Sequence, residues 1–251
     1  MLGSWVLTLK NVLLPMFCKQ CGERILTEDN TCFCPACWEQ SPRVARPFCT
    51  VCGRPHTGAV GFGSASNFPC ADCRDALARP FRRMYGAALY QDAVQMAIKL
   101  FKFNDRRKLA KPLGAMMADF AQAEMPLEEY DFLVPVPLHR VRRRERGFNQ
   151  SELLARELLP AFPNVRLDLS LYRIRPTRVQ SLTATPAERK ANIAGAFAVQ
   201  GDGLKGKTVL LIDDVVTTRV TTSECARALA RAGAANVDVF AAALVVAGGV
   251  Q

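Results

Sequence analysis

The sequence predicts an α/β fold, a parallel sheet flanked by helices, with a small metal-binding module at its N-terminal end. Three observations lead there. Nine of the ten cysteines lie at or before Cys73. From about Pro80 onward, strand-like apolar runs alternate with helical ones. One of those runs ends in two adjacent carboxylates, Asp213 and Asp214, followed by a threonine-rich turn. The expected division is 1–79 for an N-terminal helix and cysteine module and 80–251 for the α/β domain, each with its own core.

Composition permits this. Hydrophobic residues make up 49% of the chain and charged residues 22%, enough apolar material for a packed core, which excludes wholesale disorder. The net charge of +10 suits an anionic partner such as phosphate, pyrophosphate or nucleic acid. Residues 1–80 hold eight Lys/Arg against six Asp/Glu, so most of the excess lies in the second part.

The first seventeen residues place Trp5, Leu9, Val12 and Leu13 at helical spacing. The apolar run is too short to span a bilayer, its lysine sits in mid-run, and no small-residue cleavage site follows. A short amphipathic helix results, docked on the protein body or lying on a membrane surface. Neither signal peptide nor transmembrane segment is expected, which places the chain in the cytoplasm, where thiols stay reduced.

Four Cys-x-x-Cys pairs come next: Cys18/Cys21, Cys34/Cys37, Cys49/Cys52 and Cys70/Cys73. Two-residue spacing lets both thiolates of a pair reach one tetrahedral ion while the turn's N–H groups support the sulfurs. Gly22 and Gly53 directly follow two of the pairs. Consecutive pairing gives two four-cysteine sites, each suited to structural Zn2+. Three alternatives stand beside it: disulfides, which a reducing compartment disfavours; a redox pair, which explains one pair and not four; and iron–sulfur clusters, which take the same ligands. Cys32 is left as a non-ligand, Cys225 as a small core residue, and His56 is not needed as a ligand.

In the second part, Ala93–Phe103 reads as a helix, Asp131–Val136 as a buried strand and Ser151–Leu159 as a helix with Ser151 near its start. Between them stands the densest basic run: Arg140, Arg142, Arg143, Arg144 and Arg146, relieved by Glu145. It is either a solvated face or a contact for pyrophosphate or nucleic acid. Thr208–Ile212 reads as a central parallel strand, Ser223–Arg231 as a helix with Gly233 at its C-cap, and Val237–Val246 as another strand.

The sharpest signal is Val209–Thr222. Asp213 and Asp214 end a strand, Thr217, Thr218, Thr221 and Thr222 follow, and then a helix begins. In an open parallel sheet, ligands bind at that end. Loop N–H groups, hydroxyls and a helix N-terminus hold a phosphate, and the paired carboxylates accept hydrogen bonds from a ribose diol. The bland reading is an acidic turn with threonine caps.

This motif resembles the phosphoribosyl-pyrophosphate (PRPP) signature of type I phosphoribosyltransferases. Together with the cysteine pairs, Ile98–Phe103, Val134–Gln150 and Gln180–Phe197 (with Gln180, Arg189, Asn192 and Phe197), the chain resembles the ComF family, also known through competence and GntX-like proteins. The resemblance runs over nearly the whole length. It implies a type I phosphoribosyltransferase-like sheet preceded by a double zinc ribbon. It further implies that Asp213 and Asp214 contact the ribose hydroxyls and that Thr217–Thr221 (Thr217, Thr218, Arg219, Val220, Thr221), with Val215 and Val216 leading in, wrap the 5′-phosphate. The loop after the Val134–Val136 strand would bring the arginine run to pyrophosphate, and Mg2+ would accompany PRPP. The implied biology is uptake of single-stranded DNA in natural transformation, with DNA-uptake machinery proteins as partners. The alternative is an active phosphoribosyltransferase in nucleotide metabolism with no DNA role.

One departure stands out. Where such loops carry glycine, this chain has Arg219. The side chain either strains or reshapes the turn, or supplies a cation to the phosphate. No general base is evident, since the only histidines are His56 and His139.

Overall fold

The computed structural model describes residues 15–25, 32–56, 66–74, 79–103, 106–175 and 186–246. Trp5, Leu9, Val12 and Leu13 of the expected N-terminal helix, the glycine-rich stretch from Gly58, and Gln180 lie outside them.

A five-stranded, wholly parallel sheet organises the chain. Its strands are β3 (Met84–Leu89), β4 (Phe132–Pro135), β5 (Arg166–Leu167), β8 (Thr208–Val216) and β9 (Asn236–Leu244), in the spatial order β3-β9-β8-β4-β5. β8 and β9 are apolar runs rich in β-branched residues and alanine, as strands covered on both faces must be. Alternate side chains divide between two cores. Leu210 and Ile212 join Leu133 and Phe240 on one face, and Val209 and Leu211 join Val134 and Val239 on the other.

Three helices cover the first face: α3 (Asp92–Lys102), α4 (Ala110–Glu124) and α6 (Gln150–Leu158). The second face is covered by α8 (Val220–Arg231) and a two-stranded antiparallel ribbon of β6 (Leu171–Arg173) and β7 (Phe197–Val199). α7 (Pro186–Ile193) precedes that ribbon's second strand. The chain leaves β4 toward α6 on one face and β8 toward α8 on the other. Those neighbouring strands therefore flank the point where the winding reverses, and the crevice at their carboxyl ends is where such sheets bind ligands.

The expected elements are present with shifted ends. α3 begins at Asp92, α6 at Gln150, capped by Asn149 and not Ser151, and α8 at Val220, three residues before the expected Ser223. Gly233, at φ 91°, ends α8 as expected. The arginine run is not part of a loop: it forms a short helix, α5 (Arg140–Arg146), whose start is capped by the His139 side chain and whose end is Gly147 at φ 77°.

The cysteine module comprises a hairpin of β1 (Met16–Phe17) and β2 (Arg24–Ile25), α1 (Pro35–Glu39) and α2 (Ala71–Arg74). The expectation of two separate cores holds only for a small cluster of Cys49, Cys52 and Cys73, and is corrected for the rest of the module. Cys18, Ile25, Cys32, Phe33, Val44 and Phe48 belong to the same buried cluster as Phe101, Phe120 and Phe240. The linker segment is stitched to the sheet edge as well: Val44 N donates to Ala87 O and Leu89 N to Pro42 O, at 3.1 and 2.9 Å. The reason is geometric. β3 is an edge strand, and an uncovered edge leaves backbone groups unpaired.

Candidate functional site

The four sulfurs of Cys18, Cys21, Cys34 and Cys37 lie within 4.8 Å of one another, and so do those of Cys49, Cys52, Cys70 and Cys73. Cys21 and Cys34 Sγ are 3.7 Å apart and Cys52 and Cys70 Sγ 3.9 Å. Sulfurs around Zn2+ at about 2.3 Å form a tetrahedron with edges of about 3.8 Å. The donor sets therefore fit two zinc ions, in the consecutive pairing. The turn N–H groups support the second set as expected, Cys52 N and Cys70 N donating to Cys49 Sγ. The Cys52 thiol's hydrogen bond is the main cause that holds Cys49 down to about 3, against burial and with those N–H groups helping. Cys32 belongs to neither set, and His56 instead bonds Phe68 O at 2.9 Å and stacks on the Phe68 ring. Cys225 is fully buried on α8.

Asp213 and Asp214 stand near the carboxyl end of β8, at the crevice beside β4. Ser151 Oγ, on the first turn of α6, donates to Asp213 Oδ1 at 3.1 Å, and Lys102 Nζ, the last residue of α3, pairs with Asp214 Oδ1 at 3.0 Å. Burial first, and then the Asp214 charge, push the Asp213 carboxyl up to about 7. Lys102 opposes that rise, while Asp214 is among the groups that raise the Lys102 ammonium. Lys102 and Ser151 were not singled out from sequence. Lys102 lies within the matching segment Ile98–Phe103 and Ser151 directly follows Val134–Gln150, and that was the only signal.

The segment Arg146–Ser151 explains how that crevice is built. Gly147 closes α5, Phe148 is buried, and Asn149 both caps α6 through Ser151 N and donates to Val136 O, directly after β4, at 3.0 Å. Of the five arginines, Arg146 is half-buried and lies within electrostatic reach of Asp214. Arg143 pairs instead with Glu152 and Arg142 with Glu145, while Arg140 and Arg144 are exposed. The run is thus not a single cluster around the acid pair.

β8 continues through Val216, so the turn is only Thr217–Arg219. Val215 and Val216 pack into the two cores and offer the site backbone alone. Thr217 and Thr218 are exposed, whereas Val220 and Thr221 form the first turn of α8. Thr222 is buried, its hydroxyl donating to Arg219 O, which corrects its placement in the loop. Arg219 takes φ 60°, ψ 0°, the left-handed geometry a glycine would take, at a cost of about 1 kcal/mol or more. Arg219 and Thr217 line a small gap with Cys52, Arg54, Met84 and Leu244, at the second cysteine site. The Cys52 thiol is pushed well up, first by its hydrogen bond to Cys49 and then by burial, and Arg219 is among the groups opposing the rise.

A larger concavity of about 810 Å3 lies away from this chemistry, between Trp38–Arg46 and α4. It is lined by apolar side chains such as Met116 and Phe120 and, around them, by Glu39, Asp119 and Glu124 beside Arg43, Arg46 and Lys111. Among the described residues no helix is long and apolar enough to cross a membrane.

The chain is similar to glutamine PRPP amidotransferase from B. subtilis, at 18% identity and TM-score 0.38, over 58% of this chain and 30% of that one. It is also similar to a hypoxanthine phosphoribosyltransferase from Staphylococcus aureus, at 15% identity and TM-score 0.29, over 55% and 61%. The chain thus spans less than two thirds of either protein. Residues 9–74 match the double zinc ribbon domain family. The class is accordingly a double zinc ribbon joined to a five-stranded parallel α/β sheet. The chain is 31% identical over 211 residues to DNA utilization protein YhgH of Escherichia coli O6:H1, covering 82% of this chain and 88% of that one. It is 30% identical over 220 residues to competence protein ComFC of Bacillus subtilis, covering 82% of each. It belongs to the ComF family.

Proposed function

We propose that this protein binds PRPP at the carboxyl end of β8 and handles single-stranded DNA along α5, as part of DNA uptake. The observation that carries the first half is the acid pair, braced by Lys102 and Ser151 at the winding reversal and followed at once by the threonine turn into α8. Asp213 and Asp214 accept from the ribose diol. The N–H groups and hydroxyls of Thr217–Thr221 take the 5′-phosphate at the helix N-terminus. Arg146 faces the pyrophosphate side, with Mg2+ arriving as the partner of PRPP. The second half rests on the exposed arginines of α5 and on the names of the relatives.

Calorimetric titration with PRPP and Mg2+ tests the first half: binding by the wild type and none by folded Asp213→Asn/Asp214→Asn protein is the expected outcome. Unchanged affinity in the double variant removes the phosphoribosyl reading. pH adds a check. Asp213 must be ionised to accept two hydroxyls, and its carboxyl sits near 7, so affinity falls as pH falls through that range. Lys102→Met takes away the cation that opposes the rise and shifts this loss to higher pH. Transferase activity toward an acceptor is the second reading, supported by the glycine-like left-handed geometry of Arg219 and tested by release of pyrophosphate.

A further inference from the structure

Phe103 follows Lys102 directly and caps the end of α3. Phe101, two residues earlier, is fully buried in the core, whereas Phe103 is 61% exposed. The Arg146 guanidinium carbon stands 5.7 Å from its centroid, and Arg146 is the α5 cation that feels Asp214. Arg140, Arg143 and Arg144 are exposed on the same short helix. A single exposed aromatic is ordinary on a protein surface. One held under a guanidinium, beside a row of cations and next to a residue bound to the acid pair, has the makings of a single-strand surface. Phosphates go to the cations and base faces to the ring, without sequence preference because every base has a π-face.

We infer that Phe103 is a stacking seat for one nucleobase of single-stranded DNA whose backbone follows α5, so that the strand passes the mouth of the acid-pair crevice. This rests on the reading of α5 as the DNA-binding element. In a duplex, stacked neighbours cover both faces of each base, so the seat selects single strands. The seat also makes the strand and the acid-pair ligand neighbours, separated by the Lys102–Phe103 step.

The test uses fluorescence anisotropy of full-length protein with labelled dT20 and with an abasic oligomer of equal length, over a series of NaCl concentrations. Phe103→Ala binds dT20 about tenfold more weakly (about 1.4 kcal/mol) with an unchanged salt slope, because no phosphate contact is lost. Phe103→Trp restores or tightens binding. The wild type prefers dT20 to the abasic strand by a similar factor, and Phe103→Ala does not. Equal affinity in wild type and Phe103→Ala, or no preference for bases in the wild type, overturns the seat while leaving the arginine reading intact. Weaker binding with a salt slope reduced by about one unit means that Arg146 was displaced, and also overturns stacking. Wild-type protein that shows no salt-dependent binding overturns both.

Discussion

The two four-cysteine sites use the same donors at the same spacing and sit in different worlds. At the first, Cys21 is exposed and Cys34 and Cys37 are half-buried, while the residues around them, Ile25 and Phe33, are rooted in the main core. At the second, Cys49, Cys52 and Cys73 are themselves buried. Arg79 donates to Cys73 Sγ at 3.2 Å, and the knuckle backbone is bonded to the sheet, Met84 N to Val51 O at 3.0 Å. Ligand chemistry alone therefore does not say what a zinc site does. The first holds a hairpin whose apolar side chains serve the core; the second holds a turn against the sheet edge and the Thr217–Arg219 segment.

The largest effect should come from the ligands themselves. Cys49→Ser removes a buried sulfur that receives two N–H bonds and a metal. It is expected to lower the zinc content from two to one per chain and to cost about 3 kcal/mol or more, since structural zinc binding is folding free energy. Cys21→Ser also loses one zinc, but its exposed position makes the fall in thermal midpoint smaller. Equal midpoints for the two variants, with zinc counted alongside, would break the comparison.

A finer contrast lies in the glycines behind two of the pairs. Gly22 and Gly53 have φ 79° and 69°, yet a Cβ on Gly22 meets nothing within 4 Å, whereas one on Gly53 falls 2.7 Å from Met84 O. Gly22→Ala should cost about 1 kcal/mol, the left-handed penalty alone. Gly53→Ala should cost about 1–3 kcal/mol beyond that, because backbone must move. Chemical denaturation of both variants measures the difference, and matching losses would show that the second knuckle does not bear on the sheet.

The smallest effect belongs to the rim. Arg54 and Asp72 pair at 3.2 Å with both side chains open to solvent, so Arg54→Ala should cost no more than about 0.5 kcal/mol and less at high salt. A larger loss would mean that Arg54 acts through the gap it shares with Cys52 and Arg219.

What could be read from the sequence was local. Cys-x-x-Cys spacing and the run from Thr208 to Asp214 carry their meaning within a few residues, and both stand in the structure as expected. α4 was hidden by Pro112 and Gly114. The glycine is there because a Cβ would lie 2.4 Å from Glu157 Cβ of α6, a contact 43 positions away along the chain. The arginine run has no apolar period, so its helix left no trace, and its ends are set by His139 and Gly147. Lys102 looked like one more cation on a helix until folding carried it to Asp214. The shared core was invisible because it depends on which edge the ribbon covers.

The position of Arg219 and Thr217 has a thermodynamic corollary. They belong at once to the turn that opens α8, where Arg219 is held at φ 60°, and to the lining of the gap beside Cys52, so the turn and the second cysteine site adjoin. An anion that stiffens this turn stiffens the knuckle's neighbour, and a metal that fixes the knuckle limits the shapes open to the turn. Coupling of this kind is reciprocal: the factor by which a metal at the second site would tighten an anion at Thr217–Thr221 equals the factor by which that anion would tighten the metal. The second cysteine site is then less a handle on the protein than one wall of the gap beside the turn that opens α8.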